Sequence, residues 1–291
     1  MKNLRRIIVI GANGRLGAAL AREYQGVFSV KAFARSQLDL GKLDQVHSTL
    51  SETEFDLLLN CAALTNVDYC ESHRHEAFLI NAEGPRLLAE ICAEKSAKLV
   101  HISTDYVFGG NQGTPYIEAD PPAPLSVYAE SKLAGEREVL AVSQKNLVVR
   151  LSWVFGPDKP SFIDQIIQRA RENETVTAVA DKFSSPTYTI DVANWLRLAW
   201  DNNGILHLCN GGECSWQEWA QYAIEVCRSV GMSLKADHVE KLSLADMKNF
   251  VALRPVYTVL STAKFTALTG VQPRHWREAI AEYISAHVSK K

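Results

Sequence analysis

Ile7-Ile8-Val9-Ile10-Gly11-Ala12-Asn13-Gly14-Arg15-Leu16-Gly17 is an apolar, β-branched run that meets glycine at Gly11, Gly14 and Gly17. A short run of this kind bounded by glycine reads as a parallel strand buried on both faces. A helical pattern follows through Ala18, Ala19, Leu20, Ala21 and Tyr24. Glycines at such points let the backbone turn tightly, approach a pyrophosphate and pack the helix on the strand. The helix amino terminus then presents free N–H groups and a partial positive charge to the phosphates. Strand, turn and helix in this order predict an α/β fold of the Rossmann type, a doubly wound parallel sheet with a dinucleotide at the turn. The competing reading is a glycine-rich turn with no ligand, and the elements on either side weigh against it.

Moving outward, the second strand, near Phe28 to Phe33, ends in Phe33-Ala34-Arg35-Ser36. A site for NAD usually places a carboxylate there, facing the ribose 2′-hydroxyl. None is present, and Arg15, Arg35 and Ser36 suit a 2′-phosphate, which favours NADPH with NADH as the second choice. Either arginine is alternatively a solvated surface charge. Asp56-Leu57-Leu58-Leu59-Asn60-Cys61-Ala62-Ala63 is a further buried strand, and Cys61, Ala62 and Ala63 are small enough for a cofactor to lie against the backbone. Thr65-Asn66-Val67-Asp68 leaves its carboxyl end, where open α/β sheets bind ligands. In the helix that follows, continuing past Pro85, Asn81 either braces the site's backbone or serves structure alone.

Lys98 to Ser103 is the next strand, and Thr104 leaves its end. Tyr128 and Lys132 stand four apart at the start of a helix, on one face. A tyrosine is a poor acid near neutral pH, with an ordinary pKa of about 10, and a nearby cation favours the phenolate. Thr104 supplies a hydroxyl that donates to a substrate oxygen while the phenol transfers the proton. Ser103 competes for that role. Leu147 to Pro157 reads as a strand whose end delivers Trp153 to a ligand ring, with plain core packing as the alternative. Phe162 to Arg171, Asp191 to Leu196 and Trp216 to Val226 read as helices, Thr175 to Val179 and Gly204 to Cys209 as strands. Trp216 and Trp219 form a packing stripe, and His101 and His207 read as satisfied core histidines. Lys235 to Asn249 carries no recognisable pattern.

The chain has 291 residues, 47% hydrophobic and 22% charged, with a formal net charge of -2 and a pI near 6.5. This leaves no electrostatic footprint for nucleic acid or an anionic membrane. No apolar run approaches the ~18 residues of a membrane span. The start, Met1 to Arg6, has neither the length nor the cleavage signal of a secretory leader. Six scattered cysteines without a CxxC pair read as reduced core residues. A cytoplasmic protein is expected.

Taken together, Gly11 to Gly17, Asn60-Cys61-Ala62-Ala63 with Thr65 and Val67-Asp68, Ser103-Thr104-Asp105-Tyr106-Val107-Phe108, Tyr128 with Lys132, Arg150 to Gly156, Ser185-Pro186-Thr187-Tyr188 and Arg254-Pro255 resemble the extended short-chain dehydrogenase/reductases. Within them, the set is similar to the dTDP-4-dehydrorhamnose reductase family. The resemblance implies reduction of the C4 keto group of a nucleotide-activated deoxy sugar, with dTDP-4-dehydrorhamnose as substrate. It implies Tyr128 as general acid, Lys132 on the nicotinamide ribose and lowering the tyrosine pKa, and Thr104 orienting the carbonyl. Asp39 and Leu40 would flank the adenine side; Val67, Asp105, Tyr106 and Trp153 would border the sugar nucleotide. It also implies two domains, 1–155 with 187–207 for the dinucleotide and 156–186 with 208–291 for the substrate, and it leaves a homodimer open. Some family members bridge subunits through a carboxylate-bound metal. Ala18 and Ala19 stand where one carboxylate would be, so no metal is expected. The alternatives are a non-catalytic regulatory subunit like that of methionine adenosyltransferase, and a sister reductase or epimerase acting on another nucleotide sugar.

Overall fold

β1 (Arg6–Ile10) is solvent-exposed only at Arg6, and its four apolar residues are buried on both faces. The computed structural model describes residues 5–289; Met1 to Leu4, part of the segment read above for a leader, lie outside the described residues. Helix α1 (Arg15–Tyr24) follows the glycine turn, then β2 (Ser29–Phe33), α2 (Leu43–Ser51) and β3 (Leu57–Asn60). After α3 (Val67–Ser72), α4 (Arg74–Phe78) and α5 (Gly84–Glu94) come β4 (Lys98–Thr104), α6 (Val127–Val142) and β5 (Leu147–Leu151). The last strand of the sheet is Gly204–His207. Across the sheet the order is Gly204–His207, β5, β4, β3, β1, β2, all parallel. β1 thus lies between β2 and β3, and the chain winds away from it in both directions. That reversal is the topological switch point at which such sheets bind ligands beyond the strand ends, and the glycine turn leaves β1 there.

Alternate residues of the strands supply the two faces, as a period of two requires. Ile7, Val9, Leu57, Leu59 and Val149 pack with Leu20 and Tyr24 of α1, and with Val192 and Leu196 of the helix Thr189–Ala199. Ile8, Ile10, Leu58 and Val148 pack on the opposite side with Val46 and Leu50 of α2 and Leu88 and Ile91 of α5. The expected strand from Leu147 to Pro157 breaks at Ser152-Trp153. Val154–Phe155 instead pairs with Thr187–Tyr188 in a separate two-stranded sheet, so the chain must leave the main sheet here. Trp153 makes the turn with φ +38°, a region that bulky residues rarely enter.

Beyond that break the helices Phe162–Glu172, Trp216–Ser229 and Trp276–Tyr283 enclose a second core. Phe155, Tyr188, Trp219, Trp276 and Tyr283 fill it. Lys235 to Asn249, without a pattern in the sequence, contains the strand Val239–Leu242, parallel to Val176–Val179. Its two central residues, Glu240 and Lys241, are exposed and only Val239 is buried, so neither alternation nor an apolar run marks it.

The helix continues past Pro85 as expected, and contains a wider π turn at Leu79–Glu83. Proline has no N–H for the carbonyl four residues back and its ring presses on it; here that carbonyl belongs to Asn81, and the wider turn gives the ring room. Helix α6 packs against this same carbonyl. A Cβ on Gly135 would stand 2.0 Å from it. Gly135→Ala should therefore lower stability by about 1–3 kcal/mol, the usual cost of overpacking. Chemical denaturation checks this, and an unchanged midpoint would mean α6 sits less tightly than described.

Candidate functional site

A cleft of about 490 Å³ runs along the carboxyl ends of the strands, from the glycine turn to α6 and Trp153. Gly11, Asn13, Gly14, Arg15 and Leu16 line one end of it. Gly11 has φ +83°, and a Cβ there would lie 2.8 Å from the Ala62 amide nitrogen. Gly17 does not line the cleft but supports the turn, since a Cβ on it would stand 2.2 Å from the Gly11 carbonyl. Gly14 is the N-cap of α1 and provides no side chain for the first-turn N–H groups. A helix start of this kind leaves donors free for an anion, which is the arrangement a dinucleotide's diphosphate needs. Cys61, Ala62 and Ala63 form the neighbouring wall. Burial pushes the Cys61 thiol up to about 12, so it contributes size and not charge.

Arg35, Asp39 and Leu40 also line the cleft, with Leu38, whereas Ser36 does not. Arg35 Nε donates to Asp39 Oδ2 at 3.2 Å, and its other end lies 3.8 Å from Glu76. Burial opposes the Asp39 charge, yet the Gly41 amide and the Arg35 guanidinium hold its carboxyl below the usual range. Arg15 donates twice to the Pro160 carbonyl, at 3.0 and 2.7 Å. That anchors Arg15 between the turn and the Pro160 loop, and leaves Arg35 as the more exposed of the two guanidinium groups.

Thr104, Tyr128 and Lys132 meet at the opposite end, with Ser103, Asp105 and Trp153. Helix α6 holds the pair in place. Ser126 caps it by accepting from the Ala129 amide at 3.3 Å, and Glu71 accepts from the Val127 amide at 2.9 Å. Asn81, fully buried, takes the bracing role that the sequence left open. Its Oδ1 accepts from the Leu64 amide at 2.8 Å, and its Nδ2 donates to the Leu64 carbonyl at 3.1 Å and to Ser131 Oγ at 3.0 Å.

The phenol departs from expectation. Burial is the largest influence on Tyr128 and pushes it above its ordinary value; the Thr104 hydroxyl pulls the other way, while Asp105 and Cys70 add to the rise. Lys132, expected to lower the tyrosine, is committed elsewhere. Its Nζ donates to the Ile102 carbonyl at 2.7 Å and lies 3.3 Å from His101 Nε2. Burial brings this lysine down to about 8, against the opposing pull of Glu136 and Cys61.

Thr104 Oγ1 donates to Asp105 Oδ1 at 3.1 Å and accepts from the Tyr106 amide at 3.2 Å. Asp105 Oδ2 in turn accepts from Ser152 at 2.9 Å, Ser184 at 3.0 Å and Thr258 at 2.5 Å. One carboxylate thereby ties the end of β4 to the second core and to the carboxyl-terminal segment. Ser103, the rival of Thr104, donates to Glu136 Oε1 at 2.5 Å. Glu136 is itself paired with Arg150 through bonds of 2.9 and 2.6 Å. Tyr106 packs edge-on to Tyr128 at 5.9 Å between centroids, and Val67 joins the same cluster; neither lines the cleft. Trp153 does, stacked 5.6 Å from Trp219, and its indole N–H is buried with no partner among the described residues.

Leu38, Ile80 and Lys159 are among the lining residues that the sequence did not single out. Leu38 and Ile80 gave no signal beyond being apolar. Lys159 had one, as a cation in the Gly156-Pro157-Asp158-Lys159-Pro160 loop after a strand end. His207 is a satisfied core histidine, its Nδ1 3.2 Å from the Tyr116 carbonyl. His101 is satisfied as well, but through the cleft's own Lys132. All six cysteines are free thiols. Among the described residues no group of three or more His, Cys, Asp or Glu is placed to hold a metal, and no helix is long and apolar enough to cross a membrane.

The fold has close counterparts. The dTDP-4-dehydrorhamnose reductase of Mycolicibacterium smegmatis is 38% identical over 97% of this chain and 86% of its own. The spore coat polysaccharide biosynthesis protein SpsK of Bacillus subtilis is 34% identical over 98% of both chains. A crystal structure of dTDP-4-dehydrorhamnose reductase from Bacillus anthracis in complex with NADP superposes with a TM-score of 0.89 at 33% identity, covering 97% of this chain and 99% of that one. The family pattern described as the RmlD substrate binding domain matches residues 5–289, and the chain belongs to that family.

Proposed function

We propose that the protein is an NADPH-dependent reductase of the C4 keto group of a nucleotide-activated deoxy sugar, dTDP-4-dehydrorhamnose, acting in the cytoplasm. The observation that carries this reading is the meeting of Thr104, Tyr128 and Lys132 in one cleft whose other end is an uncapped helix start. Gly11 to Leu16, Cys61 to Ala63 and the Arg35–Asp39 pair fit a dinucleotide in size and charge. Bound NADPH supplies a hydride to the sugar C4. Tyr128 gives its O–H proton to the C4 oxygen, so an alcohol forms without a free alkoxide, and the phenolate left behind is reprotonated before the next turnover. Thr104 holds the carbonyl oxygen, and for this its hydroxyl must turn from Asp105 to the substrate. Trp153 and Asp105 border the sugar, with Val67 and Tyr106 behind them, and residues 156–186 with 208–291 cover it.

The test is NADPH oxidation with a panel of nucleotide 4-keto sugars. The expected result is turnover strongest with dTDP-4-dehydrorhamnose. No consumption with any member, together with co-purification of a larger enzyme, would replace this reading with a regulatory subunit. Equal or better turnover of another nucleotide sugar would reassign the substrate. For the coenzyme, Arg35→Asp should raise the Kd for NADPH more than that for NADH, because it removes the exposed cation offered to the 2′-phosphate and adds a repelling charge. Equal effects on the two coenzymes would remove Arg35 from that role.

A further inference from the structure

His101 is fully buried on β4 and takes no part in the chemistry above. Its ring nevertheless lies between Asn60 and Lys132. Asn60 Nδ2 stands 3.0 Å from His101 Nδ1, and His101 Nε2 stands 3.3 Å from Lys132 Nζ. The direction of these bonds follows from donor and acceptor inventory. Asn60 Oδ1 accepts from the Ala62 amide at 3.1 Å; turning the carboxamide over would set an NH₂ against that N–H. Asn60 therefore presents its NH₂ to Nδ1, which must be the unprotonated nitrogen of the ring. A neutral imidazole with a bare Nδ1 carries its proton on Nε2. That N–H faces Lys132.

Lys132 already donates to the Ile102 carbonyl at 2.7 Å. An ammonium has three N–H groups and no acceptor, so it would meet the His101 N–H donor to donor. A neutral amine keeps a lone pair and accepts from it. Burial, the largest influence, holds the His101 ring well below its ordinary proton affinity, which keeps it out of the doubly protonated form. The other titratable groups facing Lys132 are Glu136 on its own helix, which favours the ammonium, and Cys61 just past β3, whose thiol burial keeps uncharged.

We propose that His101 is a positioning residue for Lys132: locked by Asn60 in the tautomer that carries its proton on Nε2, it donates to the lysine and favours the neutral amine until a dinucleotide binds. The proposal rests on the reading of the cleft as an NADPH site. Binding then draws the amine toward the ribose hydroxyls and takes up a proton, so affinity for NADPH falls as pH rises through the lysine's own titration.

Two measurements test this without any sugar substrate. In the full chain labelled with ¹⁵N-histidine, NMR reads which ring nitrogen is protonated, and the His101 signals are those lost in His101→Gln. The expected result is a protonated Nε2 and a bare Nδ1; the opposite tautomer overturns the proposal. The second is the pH dependence of NADPH affinity in Asn60→Asp. A carboxylate in place of the amide still accepts from Ala62 and now also accepts from His101 Nδ1–H, which turns the tautomer over and gives Lys132 an acceptor. The pH at which NADPH affinity falls should move up by about one unit or more, the size of shift an added opposite charge produces. A curve that stays in place while the tautomer has switched overturns the link between ring and lysine. Wild-type protein that does not bind NADPH would remove the reading of the cleft, and the tautomer measurement would still stand or fall by itself.

Discussion

Tyr128→Phe is expected to lower kcat by about 10²–10⁴-fold, the range for loss of a positioned acid, with the Kd for NADPH close to that of the parent. The substitution deletes one hydroxyl from a ring that is 9% exposed and held edge-on by Tyr106. Its shape and packing survive, so stability should change little. The raised proton affinity of Tyr128 bears on the direction of the chemistry. A phenol pushed upward by burial is protonated throughout the neutral range, as a group that must deliver a proton to a reduced carbonyl has to be. Steady-state kinetics with a parallel fluorescence titration of NADPH separates the two effects. Retained turnover would mean that the proton comes from elsewhere, and lost NADPH binding would mean that the ring is part of the coenzyme's seat.

Glu136→Leu should destabilise the fold by about 3–5 kcal/mol, the cost of leaving one member of a buried pair uncompensated. Glu136 and Arg150 each expose 2% of the side chain, and their bidentate bond joins α6 to β5. The Arg150 guanidinium also lies 5.0 Å from the centre of the Phe108 ring, a contact too weak to replace a carboxylate. Ser103 would lose its acceptor at the same time. Because Glu136 is four residues from Lys132 and eight from Tyr128, all three lie along one buried face of α6, and loosening this pair should loosen the reacting groups. Urea unfolding reads the loss. A midpoint unchanged from the parent would show that the pair contributes nothing to holding α6 on the sheet.

The main sheet was legible because its strands are dense apolar runs broken by glycine or small residues, as in Ile7 to Gly11 and Leu57 to Ala63. Tyr128 and Lys132 could be paired from spacing alone, since i and i+4 share a helix face whatever the helix packs on. What Lys132 touches could not be read that way: Ile102 and His101 lie about thirty positions earlier and meet it only through the packing of α6 on β4. The same holds for Glu136, whose partners Ser103 and Arg150 belong to two different strands. Helix α6 buries Ser131, Lys132 and Glu136 along with its apolar residues, so hydrophobic periodicity underrates it. In the second core, strands of two residues such as Phe183–Ser184 and Thr187–Tyr188 are too short for any period. The altered course of the phenol follows from the same cause: charge can be counted in a sequence, burial cannot.

Transfer of deuterium is the most direct test of reduction at C4. NADPH deuterated on the nicotinamide carbon that gives up hydride would be incubated with the protein and dTDP-4-dehydrorhamnose, and the sugar nucleotide analysed by NMR and mass spectrometry. The structure predicts one deuterium per molecule of product, located at C4 of the sugar, and about 10²–10⁴-fold slower formation of that labelled product with Tyr128→Phe protein. Unlabelled product, or deuterium at any other position of the sugar, would contradict it.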